Sequence, residues 1–223
     1  MSLDRNKGCS ISAESAQGGL TNTDESDGSI ASLTAATAYQ GNPDLVGQPL
    51  TALFCSNRCP GDLILKTYDL ARALRDASVP VIGGFQTPME KECLRLLLRG
   101  DQPIVVCPAR GIDNMRIPRD WRPAIDDGRL LILSPFPASI RRPTAAHAAR
   151  RNKFVSDLAH SLLIIHAATG SNTEALAQQA ATTGKPLFTL ESPSNANLLT
   201  LGARAIQPDD MARIGEILGV GGD

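Results

Sequence analysis

The sequence predicts an α/β fold with a single doubly wound, mostly parallel sheet. Six short apolar runs of strand length follow one another from residue 51 onward, and stretches with helical spacing lie between them. Continuous apolar runs of this kind are typical of strands that are buried on both faces, as in parallel sheets. Regular alternation of strands and helices implies right-handed crossovers, which place helices on both faces of the sheet.

Each apolar run and each helical stretch has a defined place along the chain. The strands are expected at residues 51–55, 79–82, 104–107, 130–133, 162–165 and 187–190. The helices are expected at residues 63–77, 89–99, 145–158, 173–182 and 208–218. Gly or Pro stands at most of the junctions, where the chain has to leave one element and enter the next. These bounds predict a folded domain over residues 44–207, followed by a C-terminal helix and tail over residues 208–223.

Residues 1–43 differ in composition from the rest of the chain. They are rich in Ser, Thr, Gly, Ala, Asn and Asp and contain almost no large apolar side chains. Such a segment buries too little surface to offset the entropy that is lost on ordering, so we predict a disordered N-terminal arm. An ordered wrap of this arm over the domain is the alternative.

The formal net charge of −1 conceals an uneven distribution of charge. Residues 1–50 contain six acidic and two basic side chains, so the remaining chain has a net charge of +3. The predicted folded domain is therefore mildly basic, and its local patches matter more for ligand binding than the total charge.

The cysteines and the apolar runs exclude several classes of protein. Cys55 and Cys59 are separated by three residues, and no second pair at zinc-finger spacing accompanies them, so we expect no metal site. No stretch approaches the roughly 20 apolar residues that a membrane span requires. The N-terminus also lacks the charged and then apolar pattern of a secretory signal. We therefore expect a cytoplasmic protein without a membrane partner.

Four loops of the predicted fold lie at the carboxyl ends of strands, where open parallel sheets bind their ligands. They span residues 55–61, 83–88, 108–111 and 167–173, and all contain small residues that let the backbone approach a ligand. The last loop follows a buried strand and opens a helix, where N–H groups and the helix dipole favour an anion. The candidate phosphate-binding residues in these loops are Ser56, Arg58, Gly83, Gly84, Arg110, Gly170, Ser171 and Thr173.

A basic cluster precedes the fourth loop. Residues 128–156 contain six Lys or Arg and no Asp or Glu. The centre of this stretch is Arg150, Arg151, Asn152 and Lys153, with no acidic neighbour expected to neutralise it. Beside a loop suited to phosphate, this cluster indicates a nucleotide or a nucleic-acid backbone as the ligand. A solvated helix face without a ligand is the alternative interpretation.

Two residues near the fourth loop are candidates for chemistry. His166 ends a predicted strand and has the side chain of a general base, although a structural role is the more usual one. Glu174 stands in the first turn of a helix, where a carboxylate either stabilises the helix dipole or acts in catalysis. The sequence indicates no cofactor.

Four short motifs within residues 50–206 resemble the DNA-processing protein A family (DprA, also called Smf). The family's first strand ends in a Gly-Ser-Arg type loop, its Phe-Pro segment precedes an Arg-Arg-Asn-Arg motif, and a Gly-Ser-x-x-Thr loop and an Asn-x-Leu-Ile-x-x-Gly-Ala ending follow. The corresponding segments here are Cys55-Ser56-Asn57-Arg58, Phe136-Pro137 with Arg150-Arg151-Asn152-Lys153, Gly170-Ser171-Asn172-Thr173, and residues 197–203.

This resemblance implies an extended Rossmann-like domain that binds single-stranded DNA, often as a homodimer. It also implies transfer of that DNA to a RecA-type recombinase during natural transformation. The chain departs from the family at residues 83–90, where Gly-Gly-Phe-Gln-Thr-Pro-Met-Glu replaces a Ser-Gly-x-Ala-x-Gly-Ile-Asp loop. We expect a minimal member without the helical N-terminal and winged-helix C-terminal modules.

A second family with the same general fold offers an enzymatic alternative. The segment from Gly170 to Glu174 resembles part of the Pro-Gly-Gly-x-Gly-Thr-x-x-Glu loop of LOG-type nucleoside 5′-monophosphate phosphoribohydrolases. The leading Pro-Gly-Gly is replaced here by Ala167-Ala168-Thr169. Under this interpretation Glu174 is catalytic, and a nucleotide-binding module without chemistry is a third possibility. We predict a nucleic-acid-binding protein rather than an enzyme.

Overall fold

The computed structural model describes residues 38–220, which form one eight-stranded sheet with helices on both faces. All strand pairs are parallel except the pair at one edge. The doubly wound, mostly parallel sheet predicted from the sequence is thereby confirmed. Most of the predicted N-terminal arm (residues 1–37) and the end of the predicted tail (residues 221–223) lie outside the described residues.

The strands and helices alternate along the chain. The strands are β1 (Ala38–Gly41), β2 (Thr51–Cys55), β3 (Val81–Gly83), β4 (Ile104–Val106), β5 (Leu130–Ser134), β6 (Ser161–His166), β7 (Leu187–Leu190) and β8 (Arg204–Ile206). The α-helices are α1 (Gly61–Asp76), α2 (Pro88–Leu97), α3 (Arg122–Asp126), α4 (Ala145–Leu158), α5 (Asn172–Thr182), α6 (Ala196–Thr200) and α7 (Ile214–Leu218). Short 3-10 helices cover Pro43–Gly47, Arg119–Trp121, Pro193–Asn195 and Pro208–Arg213.

The core consists of two apolar layers, one on each face of the sheet. Within β2, Leu53 and Cys55 face the layer that α1, α2 and α7 cover, whereas Ala52 and Phe54 face the layer under α4 and α5. All five residues of β2 are buried, and so are all those of β5 and β6. Burial on both faces explains why apolar residues follow one another without alternation in these strands, with polar residues only at the strand ends.

The order of the strands defines where a ligand crevice opens. From β2 the chain builds outward through β3, β4 and β5 on one side, then returns to place β6, β7 and β8 on the other. Neighbouring loops therefore diverge above the carboxyl ends of β2 and β6, which leaves a crevice at this switch point. The register between the two strands also shifts at Phe54/Cys55, so that Cys55 pairs with His166.

Two strands were not predicted, and both lie at the edges of the sheet. The edge strand β1, whose residues the sequence analysis placed in the N-terminal arm, runs antiparallel to β5. It ends at Gly41, whose φ is +104° and where a Cβ would lie 2.2 Å from the carbonyl oxygen of Leu130. Only glycine fits this close approach. Within residues 38–220, no helix is both long and apolar enough to cross a membrane.

Candidate functional site

A crevice of about 340 Å³ opens at the carboxyl ends of β2, β3 and β6. Three of the four predicted loops contribute to its walls, and α4 closes one side. The lining residues are Cys55, Ser56, Asn57, Gln86, Thr87, Glu90, Ala148, Arg151, Asn152, Ser171, Asn172 and Thr173. A groove of about 540 Å³ lies against α2 and Trp121 instead, but it contains none of the predicted site residues. The smaller crevice is therefore the candidate site.

Glu90 organises the wall that follows β3. The carboxylate is 4% exposed and accepts the N–H groups of Gln86 (2.9 Å) and Thr87 (3.2 Å). Thr87 in turn accepts the N–H of Glu90 through its hydroxyl, which completes a capping box at the start of α2. The other carboxylate oxygen accepts the N–H of Cys55 at 2.9 Å, so Glu90 also ties the end of β2 to this wall.

Arg151 projects from α4 into the same region and is 4% exposed. Its guanidinium donates to the carbonyl oxygen of Cys107 (3.0 Å), to Asn152 Oδ1 (2.8 Å) and to Gln86 Oε1 (3.4 Å). Burial lowers the pKa of the Arg151 guanidinium, while the nearby Glu90 carboxylate acts in the opposite direction. The crevice thus contains a buried cation that is held in place by protein acceptors.

Gly84 is required for this position of Arg151. A Cβ at Gly84 would lie 1.2 Å from Nη1 of Arg151 and 1.9 Å from its Cζ. At Gly83 a Cβ would lie 3.2 Å from the carbonyl oxygen of Leu53 and from the ring of Phe85. Of the two glycines predicted to approach a phosphate, Gly84 therefore lets the guanidinium lie directly against the backbone, whereas Gly83 makes room for Leu53 and Phe85.

The fourth loop is built around Glu174. Ser171 caps α5 by accepting the N–H of Glu174 at 3.2 Å, and the Glu174 carboxylate accepts the N–H of Gly170 at 2.7 Å. The side-chain amide of Asn197 also donates to this carboxylate. The hydrogen bond from Asn197, followed by that from Gly170, holds the pKa of Glu174 below its usual range. Glu174 is therefore an ionised group that fixes the loop.

The N–H groups of this loop do not all have the same role. Gly170, with φ at +74°, directs its N–H to Glu174. Asn172 and Thr173 occupy the first turn of α5, where N–H groups have no acceptor within the helix, and both residues line the crevice. The donors that face the crevice are therefore those of Asn172 and Thr173.

Ser56 joins the first loop to the fourth. Its hydroxyl oxygen accepts the N–H of Ala168 at 3.0 Å and lies 3.5 Å from the hydroxyl oxygen of Ser171. Its own N–H donates to the carbonyl oxygen of His166. Two hydroxyl groups consequently meet on the floor of the crevice, next to the first turn of α5.

The predicted basic cluster divides between the crevice and the surface. Arg151 and Asn152 line the crevice, whereas Arg150 is exposed and stacks over the ring of Phe136 at 5.2 Å. Lys153 is also exposed, and its Nζ lies 2.7 Å from Asp157. The expectation that the cluster has no acidic neighbour is therefore wrong, because Asp157 follows one helical turn after Lys153.

The remaining predicted residues lie outside the crevice. Arg58 is exposed on the first loop, and Arg110 lines a separate cavity of about 290 Å³ that also contains Arg141. His166 is buried, with Nδ1 3.0 Å from Asn195 Oδ1. Because the Asn195 amide nitrogen is occupied as a donor, Oδ1 is the acceptor and His166 carries the hydrogen on Nδ1. This pairing favours the structural role of His166.

Sequence reasoning missed Glu90, Asn195 and Asn197. The spacing Thr87-x-x-Glu90 before a helix is a capping-box signature and was sufficient to identify Glu90. Asn195 precedes α6 and has no sequence signal, whereas Asn197 begins the segment 197–203 that resembles the family's ending, although nothing in that motif marks it as a partner of Glu174. Within residues 38–220, no group of three or more His, Cys, Asp or Glu side chains is placed to hold a metal ion.

Comparison with known proteins supplies a family for this fold. The family model for DNA recombination-mediator protein A matches residues 28–214. A sequence comparison with curated proteins finds no significant match.

Solved structures share the fold at low sequence identity. DNA processing protein A from Streptococcus pneumoniae superposes with a TM-score of 0.65 at 17% identity, over 79% of this chain and 64% of that protein, so the chain spans less than two thirds of it. DNA processing protein A from Helicobacter pylori, a structure described for its single-stranded DNA binding mode, gives a TM-score of 0.65 at 18% identity, over 89% of this chain and 94% of that one. A molybdenum cofactor binding protein from Rippkaea orientalis gives 0.52 at 9% identity, over 77% and 96%.

Proposed function

This chain belongs to the DNA recombination-mediator protein A family, and from that premise we propose that it binds single-stranded DNA through the phosphate backbone. The observation that carries the proposal is the convergence of Arg151 and the first turn of α5 on one crevice. The structural similarity to the Helicobacter pylori protein supports the same ligand class.

The crevice has the donors that a phosphate group requires. Arg151 has five N–H groups, and its three hydrogen bonds leave two of them without a partner among residues 38–220. Asn172 and Thr173 add first-turn N–H groups at the positive end of the α5 dipole, and Ser56 and Ser171 add hydroxyl groups. One phosphate in the crevice thus meets a cation, backbone donors and hydroxyl donors together.

Exposed cations extend the positive surface beyond the crevice. Arg58 and Arg150 flank it, Lys153 adds a cation that is paired with Asp157, and Arg110 with Arg141 lines the neighbouring cavity. The chain has only eight Phe, Tyr and Trp residues, so base stacking supplies little of the affinity. Contacts with successive phosphates supply most of it, which makes binding independent of sequence and strongly dependent on salt.

The broader role of the protein follows from the same proposal. A DNA-binding member of this family serves recombination and natural transformation, with a RecA-type recombinase as the partner that receives the DNA. We further propose a homodimer, a cytoplasmic location, and a domain organisation in which an N-terminal arm precedes β1, the Rossmann-like domain extends from β1 to residue 207 rather than beginning at residue 44, and a C-terminal helix and tail follow (208–223).

Fluorescence anisotropy with a labelled oligothymidylate tests the proposed binding. We expect the affinity to fall by more than tenfold between about 50 mM and about 200 mM salt, since each neutralised phosphate releases counterions. Arg151→Met, which keeps the length of the side chain, should weaken binding by about tenfold or more. The exposed pair Arg150→Ala and Lys153→Ala should weaken it less and flatten the salt dependence.

Two controls make this experiment decisive. The double variant Arg72→Ala and Arg95→Ala removes exposed, ion-paired arginines from α1 and α2, away from the crevice, and should bind like the parent. Circular dichroism verifies that each variant is folded. If folded Arg151→Met and the Arg150/Lys153 double variant both bind as tightly as the parent, the crevice is not the DNA site.

The phosphoribohydrolase alternative is not favoured by the geometry. The Glu174 carboxylate already accepts hydrogen bonds from Gly170 and Asn197, and these bonds occupy it as a structural group. Incubation with AMP, followed by an assay for free adenine, should therefore show no turnover. Turnover that disappears in Glu174→Gln would replace DNA binding with glycosidic hydrolysis as the function.

A further inference from the structure

Two thiols meet at the wall of the crevice. Cys55 ends β2, is 2% exposed and lines the crevice, whereas Cys59 is partly exposed and stands directly before Pro60, the N-cap of α1. Cys59 packs against the apolar layer that contains Cys55, and the interaction between the two thiols shifts the pKa of each. Only Ser56, Asn57 and Arg58 separate them along the chain, so this short loop holds a dithiol next to the proposed phosphate site.

The two thiols have different acidities. The interaction with Cys55 lowers the pKa of the Cys59 thiol, and the same interaction raises the pKa of Cys55, which burial raises further. Cys59 also lies at the N-terminal end of the 16-residue helix α1, whose dipole favours a thiolate. Because Cys59 is partly exposed and Cys55 is 2% exposed, Cys59 is the thiol that an oxidant reaches, and we assign it as the nucleophile of the pair.

The other thiols of the described residues lack this combination. Cys93 is 2% exposed within the core, and burial raises the pKa of its thiol. Cys107 is fully buried, and burial raises the pKa of its thiol to about 12. A thiol that is buried and protonated neither reaches nor attacks an oxidant, so Cys107 is a matched control for Cys59.

We propose that Cys55 and Cys59 form a redox modification site that reacts with low-molecular-weight disulfides of the glutathione type. The Cys59 thiolate attacks one sulfur of the disulfide, which forms a mixed disulfide on Cys59 and releases one thiolate. The thiol of Cys55 then loses its proton and attacks the sulfur of Cys59, which closes a Cys55–Cys59 bridge and releases the second thiolate. The two cysteines are oxidised, one small disulfide is reduced to two thiols, and an excess of reduced thiol reverses the reaction.

The bridge should change the crevice because the loop that it closes, residues 55–59, forms part of the crevice wall. A disulfide holds its sulfurs about 2.05 Å apart, closer than two separate thiols, so the loop has to contract. Ser56 lies inside this loop, and its hydroxyl accepts a hydrogen bond from the N–H of Ala168. The N–H of Cys55 donates to the carboxylate of Glu90. Contraction of the loop therefore disturbs both sides of the crevice, and on the basis of the proposed function we expect weaker binding of single-stranded DNA.

Peptide mapping of the full chain tests the redox site without reference to DNA. The protein is treated with oxidised glutathione, alkylated and digested, and its disulfides are identified by mass spectrometry. We expect a Cys55–Cys59 bridge in the parent and in Cys107→Ser, a stable glutathione adduct on Cys59 in Cys55→Ser, and neither product in Cys59→Ser. An unmodified Cys59, or a bridge from Cys59 to Cys93 or Cys9 in place of Cys55, would overturn the proposal.

Oligonucleotide binding before and after oxidation tests the coupling to the crevice. Oxidation should weaken binding by about tenfold in the parent, with recovery in dithiothreitol, and should leave Cys59→Ser unchanged. Equal affinity of the bridged and reduced forms would refute the coupling while the bridge itself stands. If the reduced protein binds no oligonucleotide, the proposed function fails, and the peptide mapping alone decides the redox site.

Discussion

Each of two walls of the crevice is held by a glutamate in the first turn of a helix, but the two glutamates have different hydrogen-bond partners. On the β3 side, Glu90 in the first turn of α2 accepts the N–H groups of the preceding loop, and on the β6 side Glu174 in the first turn of α5 does the same. Glu90 is fully engaged by backbone donors and lies near the buried cation Arg151. Glu174 instead receives a side-chain donor, Asn197, from α6.

This difference assigns separate roles to the two walls. The Glu90 wall holds a buried carboxylate near Arg151, and its residue Gln86 accepts a hydrogen bond from the Arg151 guanidinium, so this wall helps to place that cation. The Glu174 wall carries no cation and presents the first-turn N–H groups of α5 to the crevice. One wall supplies positive charge and the other supplies directed donors, and substitutions should affect them unequally.

The largest effect is expected at Glu90. Glu90→Ala leaves the buried N–H of Cys55 and the partly buried N–H groups of Gln86 and Thr87 without their acceptor, and it removes the negative charge near Arg151. We expect a loss of about 3 kcal/mol in the free energy of unfolding, measured by urea denaturation. Glu92→Ala on the same helix removes a surface ion pair with Arg95 and a long hydrogen bond from Tyr68, and it should change the stability by less than about 1 kcal/mol. Equal losses in the two variants would show that Glu90 does not organise its wall.

A smaller effect is expected from the two glycines that shape the walls, and for different reasons. Gly84→Ala places a Cβ on the guanidinium of Arg151 and should cost about 2 kcal/mol of stability together with most of the DNA affinity. Gly170→Ala meets no atom within 4 Å, but its φ of +74° is unfavourable for alanine and should cost about 1 kcal/mol. Urea denaturation and anisotropy titrations of both variants measure the contrast. A Gly84→Ala variant that binds normally would mean that Arg151 does not contact the ligand.

The smallest effect is expected from the charge of Glu174, and it depends on pH. The folded-state pKa of Glu174 is depressed, so its contribution to stability is present above the unfolded pKa and is lost as the pH falls through the folded pKa. Glu174→Gln should therefore be less stable than the parent at pH 7, and the difference should shrink as the pH falls below about 4.5. Urea denaturation of both proteins between pH 3 and pH 7 measures this difference. A difference that stays constant over this range would show that the ionised carboxylate is not what fixes the loop.

Much of the architecture follows from the sequence because burial leaves a clear pattern. The six central strands and four long helices are observed within two residues of their predicted bounds, since continuous apolar runs and helical spacing mark them directly. The edge strands β1 and β8 were missed because a four-residue or three-residue strand with exposed positions has no such pattern. The predicted helix over residues 208–218 begins instead as the 3-10 helix Pro208–Arg213.

The site was predicted less completely than the fold. Loop positions at the carboxyl ends of strands follow from topology, so Ser56, Ser171 and Thr173 were correctly expected to lie near one another. Whether each cation is buried or exposed could not be predicted from the sequence. Arg151 and Lys153 are two residues apart on α4, yet the first is buried and the second is exposed. Arg151 is buried only because Gly84 leaves room for it, and this contact joins residues 67 positions apart. Contacts of this kind depend on the assembled fold rather than on local sequence.

The antiparallel strand β1 limits self-association of the protein through the edge of its sheet. An apolar strand at the edge of a sheet presents unpaired backbone groups on which another chain can add a strand, a common route to aggregation. Here β1 pairs with β5, and the outermost strands are then only four and three residues long, with Tyr39 of β1 56% exposed. Short edges of this kind offer little length for a further strand. A segment of four residues that takes no part in the crevice thus covers the edge of the apolar strand β5 against the addition of another chain.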